Sequence, residues 1–441
     1  MTYNNFNTFL NDVYNEIKYL EKPILLKYTE KISCDLNQIA NNISNELKII
    51  YMHFPNKKCY LGIEDSISLK ANSKKELNNL KNNTYKIISN TNNKLLFFGG
   101  ASFNLEKEMT SIWKDVPKSN FIVPKILISK NNNKTKLTYI KKINKNTTKQ
   151  SILKEFAYYV NIINNKKIKA EKYVIPDIKP ILEKPTYQQY INNINKIIND
   201  IKYSSLEKVV ISRISQYSLT KKISISNLMS YLNKNHPNCF NYIISFDKNK
   251  YFIGSTPEKI IQLNNLSFNI DAIAGSSSNE KDIQNNKEIE EHNFVTKYIK
   301  KKMESISSKL IIPTKPKILN LNYIYHLYTE VSGKTKYAQH VLDLLIKLYP
   351  TPALLGKPYK DALEKVDKYE TFNRGWYGGC IGLYDEKGNG EFYVPIRSGL
   401  IKNKNIYLYT GSGIVLKSKA EKEWKETELK LQHLLSYFNK N

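Results

Sequence analysis

Strand-like runs in this chain come in consecutive groups, and that ordering limits the folds open to it more than any other feature. Val209 to Tyr217, Asn241 to Phe246, Tyr251–Gly254, Lys259–Leu263 and Leu266–Ala274 are short runs rich in β-branched and aromatic residues. Gly378–Tyr384 and Glu391–Leu400 flank the glycine-rich hairpin turn Asp385-Glu-Lys-Gly-Asn-Gly390, and Asn405–Thr410 follows. Strict strand–helix alternation, the mark of a parallel sheet, is missing. The expected class is therefore α+β with antiparallel sheets. Helices are expected where apolar residues recur at 3.6 spacing, from Ile191 to Ile201 and over 283–307, 338–348 and 359–369. A capping box at Ser418-Lys-Ala-Glu421 opens a last helix that runs to the C-terminus. Upstream, residues 1–50 are polar, Asn-rich and helical in pattern, and 51–128 hold short β-like runs such as Lys94 to Gly100. Residues 129–150 form an exposed loop or hairpin, and 166–186 a basic, proline-bearing connector. No internal repeat is visible.

With 441 residues and 41% hydrophobic composition the chain can bury a large core, which excludes a disordered chain or a disulfide-stapled miniprotein. No apolar run reaches the ~18 residues of a membrane helix, and the start lacks a basic-then-apolar signal pattern. Cys34, Cys59, Cys239 and Cys380 lie far apart, as in a reducing cytosol, so a soluble cytoplasmic protein is expected. The net charge of +28 invites a nucleic-acid partner. Lysine, however, rises together with Asn, Ile and Tyr in every segment, as codon bias would produce, and no nucleic-acid motif accompanies it. The expectation is no nucleic acid and no membrane, with a basic surface that attracts a small dianion.

Two helices carry acidic doublets. Glu288 and Glu291 continue the apolar stripe of Val295, Ile299, Met303 and Ile306, while Glu423 and Glu426 stand a turn ahead of Lys430. Inward carboxylates are costly unless paired or cation-bound. Spacing alone leaves a solvated face, a salt bridge and a Mg²⁺ site all open. Lys208 shares a strand face with Val210 and Ser212, where a gatekeeper lysine and a base are both admissible. Glu258 sits at a turn, and as an acid it would need a raised pKa. Arg397 reads as mid-strand, where a guanidinium needs a partner such as a substrate carboxylate. Gly411-Ser-Gly413 is too short for a dinucleotide fingerprint, and the six histidines show no metal spacing.

Taken in order, these segments resemble the chorismate-utilising enzymes, which include isochorismate synthase, salicylate synthase and the large components of anthranilate and aminodeoxychorismate synthases. The matching runs are Lys208-Val-Val-Ile-Ser-Arg213, Phe252-Ile-Gly-Ser-Thr-Pro-Glu-Lys259, Ala272-Ile-Ala-Gly-Ser276 and Lys287-Glu-Ile-Glu-Glu-His292. They continue through His326-Leu327, Tyr349-Pro-Thr-Pro-Ala353, Glu370 and Arg374-Gly-Trp-Tyr-Gly-Gly379. Gly390-Glu-Phe-Tyr-Val-Pro-Ile-Arg-Ser398, Gly411-Ser-Gly-Ile-Val415 and Glu423-Trp-Lys-Glu-Thr427 complete the series. The resemblance implies one large domain of two packed antiparallel sheets flanked by helices. Residues 1–186 would contribute a variable part with strands of the same fold, and 187–441 the chorismate-binding catalytic region.

The resemblance also implies Mg²⁺, ligated by Glu291 and Glu426 with Glu288 and Glu423 beside them. Tyr377 and Arg397 would bind the substrate carboxylate, helped by Gly275, Ser276, Gly411, Gly413 and Lys430, and His326 would contact the ring region. Lys208 as general base and Glu258 as general acid imply water addition at C2 of chorismate with loss of the C4 hydroxyl, the isochorismate synthase reaction. Ala274 occupies the position of the aminodeoxychorismate synthase lysine nucleophile, and the chain has no glutaminase segment, so no glutaminase partner is expected. Menaquinone biosynthesis is the expected pathway and a monomer the expected state. Salicylate synthase, which continues by eliminating pyruvate, and a non-catalytic nucleic-acid-binding protein are the alternatives. The chain departs from the family pattern at Tyr349, Leu355, Lys357 and Ser276.

Overall fold

Long antiparallel ladders carry the molecule. They are described here from a computed structural model covering residues 3–17, 19–43, 46–89, 94–132, 134–164, 174–321 and 324–439. One limb runs from Lys208–Leu219 through Asn405–Ile414, Ser398–Lys402, Lys250–Thr256 and Phe240–Asp247 to Ile49–His53 and Cys59–Ala71. The other starts at Ser119–Asn131 and passes through Leu96–Ala101, Cys380–Asp385, Gly390–Tyr393 and Lys259–Asn264 to Ser267–Ser277 and Tyr325–Thr335. Pairing of Cys59–Ala71 with Ser119–Asn131 makes the two limbs one continuous antiparallel network.

Side chains from both limbs meet in one core, where Met52, Phe98, Phe240, Phe252, Ile381, Tyr393 and Leu400 are buried together. Each outer face is covered by helices. Tyr3–Ile17, Leu36–Ile43, Lys149–Asn164, Ile225–Asn235 and Ala420–Leu435 cover the first limb, while Lys74–Ser89, Asn286–Glu304 and Val341–Leu348 cover the second. The result is the expected α+β class, a single large domain. Strands from the first 186 residues interleave with later ones, since Ile49–His53 pairs with Phe240–Asp247 and Leu96–Ala101 with Cys380–Asp385. No helix among the described residues is long and apolar enough to cross a membrane.

Several local expectations give way. Residues 1–50 hold the strand Ile24–Ile32 between two helices, because it pairs with Lys134–Ile143 along its length. The 129–150 stretch is the tip and second strand of the Ser119–Asn131/Lys134–Ile143 hairpin. Part of the 166–186 connector lies outside the described residues, and the remainder contains the strand Ile178–Lys184. The expected strand Glu391–Leu400 is split into Gly390–Tyr393 and Ser398–Lys402. Pro395 lacks a ladder donor and Arg397 adopts φ 50°, so the chain leaves the sheet there and Arg397 is not mid-strand. The capping box is also absent. The last helix starts at Ala420 with Lys419 as its cap, and the Ser418 hydroxyl instead accepts from the Val415 amide.

Candidate active site

The helix Asn286–Glu304 buries Glu288, His292, Val295, Ile299 and Met303 on one face. Burial of the three apolar side chains contributes roughly 1.5–3 kcal/mol each, enough to seat a carboxylate and an imidazole on the same stripe. At the N-terminal end of that face lies a cleft lined by Glu258, Gly275, Ser276, Glu291, His326, Tyr377, Arg397, Gly411, Gly413 and Lys430. Ten of the residues picked out in the sequence thus converge on one cavity.

Lys208 opens the strand Lys208–Leu219 with its side chain 0% exposed, and its Nζ donates to Glu291 Oε1 at 2.8 Å. Gly413, opposite Val210 on the neighbouring strand, makes room for this pair. A Cβ there would stand 2.6 Å from Glu291 Oε1 and 2.8 Å from Lys208 Cε. Burial by itself would raise the Glu291 carboxyl. The charge and hydrogen bond of Lys208 outweigh it, with Lys287 and Lys430 adding to the pull, and Glu291 is held below its ordinary value.

Glu258 lies between the strands Lys250–Thr256 and Lys259–Asn264 and is 4% exposed. Its carbonyl accepts from the Val394 amide at 2.9 Å, which fixes the turn. Burial, seconded by the charge of Asp271, pushes its carboxyl up to about 8 against the pull of Lys208, Lys430 and Arg397. It therefore holds its proton at neutral pH.

Arg397 is buried, and burial lowers its guanidinium to about 10. Its Nη2 lies 2.9 Å from His326 Nε2, while His326 Nδ1 lies 3.0 Å from the Gly275 carbonyl and 3.1 Å from Ser276 Oγ. Burial and the cations Arg397 and Lys430 hold His326 well below its usual pKa, so the ring is neutral. Nε2 then accepts from Arg397, and Nδ1 carries the proton toward Gly275. Gly275 sits at φ 77° in a bulge between Ala274 and Ser276, which turns the Ser276 amide onto Glu288 Oε2 at 2.8 Å. Tyr377 stacks on Tyr409 with ring centroids 5.2 Å apart. Lys430 Nζ donates to the Gly411 carbonyl at 2.9 Å and to Glu426 Oε1 at 2.5 Å.

Glu423 and Glu426 on the last helix are drawn toward Glu288 by Lys287, whose Nζ is 2.9 Å from Glu423 Oε1 and 3.6 Å from Glu288 Oε1. Burial and the neighbouring Glu426 push Glu423 up to about 7, and burial also raises Glu288. Among the described residues no three of these carboxylates are close enough to hold an ion as they stand, since lysines lie between them. The donor set nevertheless fits a hard divalent cation. It offers only oxygens, two of its members are raised chiefly by burial with neighbouring carboxylates adding to it, and Glu423 Oε2 is buried with no hydrogen-bond partner.

A sequence model described as "chorismate binding enzyme" matches residues 11–439, nearly the whole chain. The chain belongs to the chorismate binding enzyme family. The isochorismate synthase MenF of Bacillus subtilis is 28% identical over 77% of this chain and 74% of its own length. The isochorismate synthase EntC of Escherichia coli is 30% identical over 53% of this chain and 62% of its own. Among solved structures, the menaquinone-specific isochorismate synthase MenF of Escherichia coli superposes with a TM-score of 0.78 over 98% of this chain and 99% of that one, at 19% identity, a likeness of fold.

Several contacts around the cleft of this chorismate binding enzyme escape a sequence reading. Arg374 lines the cleft, but its guanidinium is committed to Glu370 Oε2 at 2.8 Å, Glu370 Oε1 at 2.5 Å, and the carbonyls of Leu354 and Val210. Glu370 in turn accepts from the Ser212 amide and hydroxyl, so the pair fastens the Lys208-bearing strand to the chain after Tyr369. Both residues stand in the matching runs, but nothing in the sequence pairs them with each other or with Ser212. Lys287 opens another of those runs, but its bridge to Glu423 on the last helix is not visible in sequence. Tyr349, a departure from the family pattern, donates its hydroxyl to Gly378 O at 2.6 Å and so braces the wall beside Tyr377.

Proposed function

We propose that this chain is an isochorismate synthase, a cytoplasmic, Mg²⁺-dependent isomerase of chorismate serving menaquinone biosynthesis. One observation carries the reading. One cleft is lined by Glu258, a buried carboxyl that keeps its proton up to about pH 8, and by Glu291, which is ion-paired to the buried Lys208 at 2.8 Å; amine and acid are the two chemical halves of a hydroxyl exchange. In that reaction Lys208, after passing its own proton to solvent, takes a proton from water while the water oxygen attacks C2 of chorismate. The ring double bonds shift and the C4–O bond breaks. Glu258 gives its proton to the departing hydroxyl, which leaves as water. Protons gained and lost balance, and the groups reset through solvent. Each step gains ~10²–10⁴-fold from its proton transfer, with the rest supplied by holding the ring in place.

Arg397 and Tyr377 would grip the substrate carboxylate, with neutral His326 keeping the guanidinium fork aimed. Glu291 and Glu426, with Glu288 and Glu423 beside them, would hold Mg²⁺, which when bound neutralises that carboxylate and fixes the ring. Ala274 lines the cleft with a methyl group, so that wall offers no nucleophile of its own, in keeping with water as the attacking species. Incubation of the purified protein with chorismate and MgCl₂, with chromatographic separation of products, tests the reading. Isochorismate alone is expected, and it disappears with EDTA. Salicylate plus pyruvate would reassign the chain to salicylate synthase, and unchanged chorismate would reject both.

A further inference from the structure

Behind Glu258, just outside the cleft, lies a second buried carboxylate that the reaction above does not use. Asp271 belongs to the strand Ser267–Ser277 and shares a strand face with Ile273, which lines the cleft. Its Oδ2 accepts from the backbone amide of Lys259, the residue after Glu258, at 3.1 Å. Its Oδ1 accepts from the Tyr328 hydroxyl at 3.2 Å, and the same hydroxyl reaches Glu330 Oε2 at 3.2 Å. Glu330 faces Asp271 directly across the strand pair. A buried carboxylate clamped by two donors is costly to keep and is not required by the ladder itself, because Lys259 and Asp271 are not register partners.

We propose that Asp271 is a positioning residue for Glu258: its carboxylate fixes the Glu258 turn through the Lys259 amide and sets a negative charge behind the acid at neutral pH, so that Glu258 retains the proton it must deliver. The inference rests on the assignment of Glu258 as the acid. The groups facing Glu258 are Lys208 from the first strand, Lys430 from the last helix, Arg397 from the break before Ser398, and Asp271. Three are cations that favour ionisation, and Asp271 alone opposes them. Asp271 is itself tempered by Lys259 and Tyr328 and pushed up by burial and Glu330 to about 6, so at neutral pH it is charged while Glu258 is not. With the charge of Asp271 removed, the three cations would draw the proton from Glu258 at a lower pH.

The test is a titration of Glu258 itself. Protein labelled with [δ-¹³C]glutamate is followed by NMR from pH 5 to 10, and the Glu258 resonance is assigned by its loss in E258Q. Wild type is expected to titrate near pH 8. In D271N, which keeps an acceptor for Lys259 but no charge, the midpoint should fall by on the order of one pH unit, a differential interaction of about 1.4 kcal/mol. D271E should restore it. Asp271→Ser, smaller and equally uncharged, gives the same reading if the amide variant is not recovered folded. A midpoint unmoved in the uncharged variants overturns the proposal, whatever happens to their rates. Chorismate turnover is measured separately. Loss of the midpoint shift counts against the role of Asp271, whereas absence of turnover in a wild type whose Glu258 titrates normally counts against the isochorismate synthase reading.

Discussion

The cleft has two walls, one bearing the buried Glu258 and the other the largely buried Glu291, and the two titrate in opposite directions. Glu291 on the helix wall is locked to Lys208 at 2.8 Å and is held ionised. Glu258 on the sheet wall has no ion-pair partner among the described residues, has Asp271 behind it, and is held protonated to about pH 8. Burial is the first cause acting on both, so burial is not what separates them. What separates them is whether charge outweighs burial: the Lys208 ion pair does so at Glu291, whereas at Glu258 burial prevails over three cations, with Asp271 adding to it. The consequences for stability are opposite as well. Glu291, with its folded pKa depressed, contributes stability above its unfolded value and loses it as acid is added. Glu258, raised from 4.5 to about 8, is a growing liability as pH climbs through that interval and favours folding only when protonated in both states.

Breaking the helix wall should have the largest effect. Lys208→Ala removes the proposed base and strands a buried carboxylate, so kcat is expected to fall by roughly 10³-fold or more. Thermal denaturation should show a destabilised but folded protein. Gly413→Ala should lower turnover by about tenfold or more while leaving the far-UV circular dichroism spectrum intact, because its methyl would enter the space of the Lys208–Glu291 pair.

Breaking the sheet wall costs activity without costing stability. Glu258→Gln should reduce turnover by roughly 10²–10⁴-fold. The same substitution should raise the melting temperature by a few degrees at pH 8 and by less at pH 5, since it abolishes the penalty of a raised carboxyl. A fall in melting temperature at pH 8 would contradict that sign. Ser276→Ala should have the smallest effect, a few-fold rise in KM, because the Gly275 carbonyl still orients His326 when the hydroxyl is gone.

Much of this comparison was legible in the sequence, and the reason is local. Strand runs such as Val209 to Tyr217 and the glycine-rich turn before Gly390 carry their own periodicity, so the antiparallel class followed from them. The position of Glu288 on an apolar stripe followed from helical spacing, whereas Glu291 lies at the edge of that stripe, partly buried against Lys208. What stayed hidden depends on residues distant in the chain. Pairing with Lys134–Ile143 makes Ile24–Ile32 a strand within a polar, Asn-rich stretch. The amide of Val394 and the carbonyl of Arg397 tie the broken strand to the segment bearing Glu258, which no periodicity of 391–400 reveals. Asp271 is an unremarkable acidic residue in sequence and gains meaning only from the turn it touches.

The pH dependence of kcat/KM for chorismate, measured from pH 6 to 10 at saturating magnesium, bears most directly on the division of labour between the walls. The account predicts a loss of activity on the alkaline side with an apparent pKa near 8, absent from the residual activity of Glu258→Gln. A wild-type rate that stays level to pH 10, or the same alkaline fall in Glu258→Gln, would contradict it.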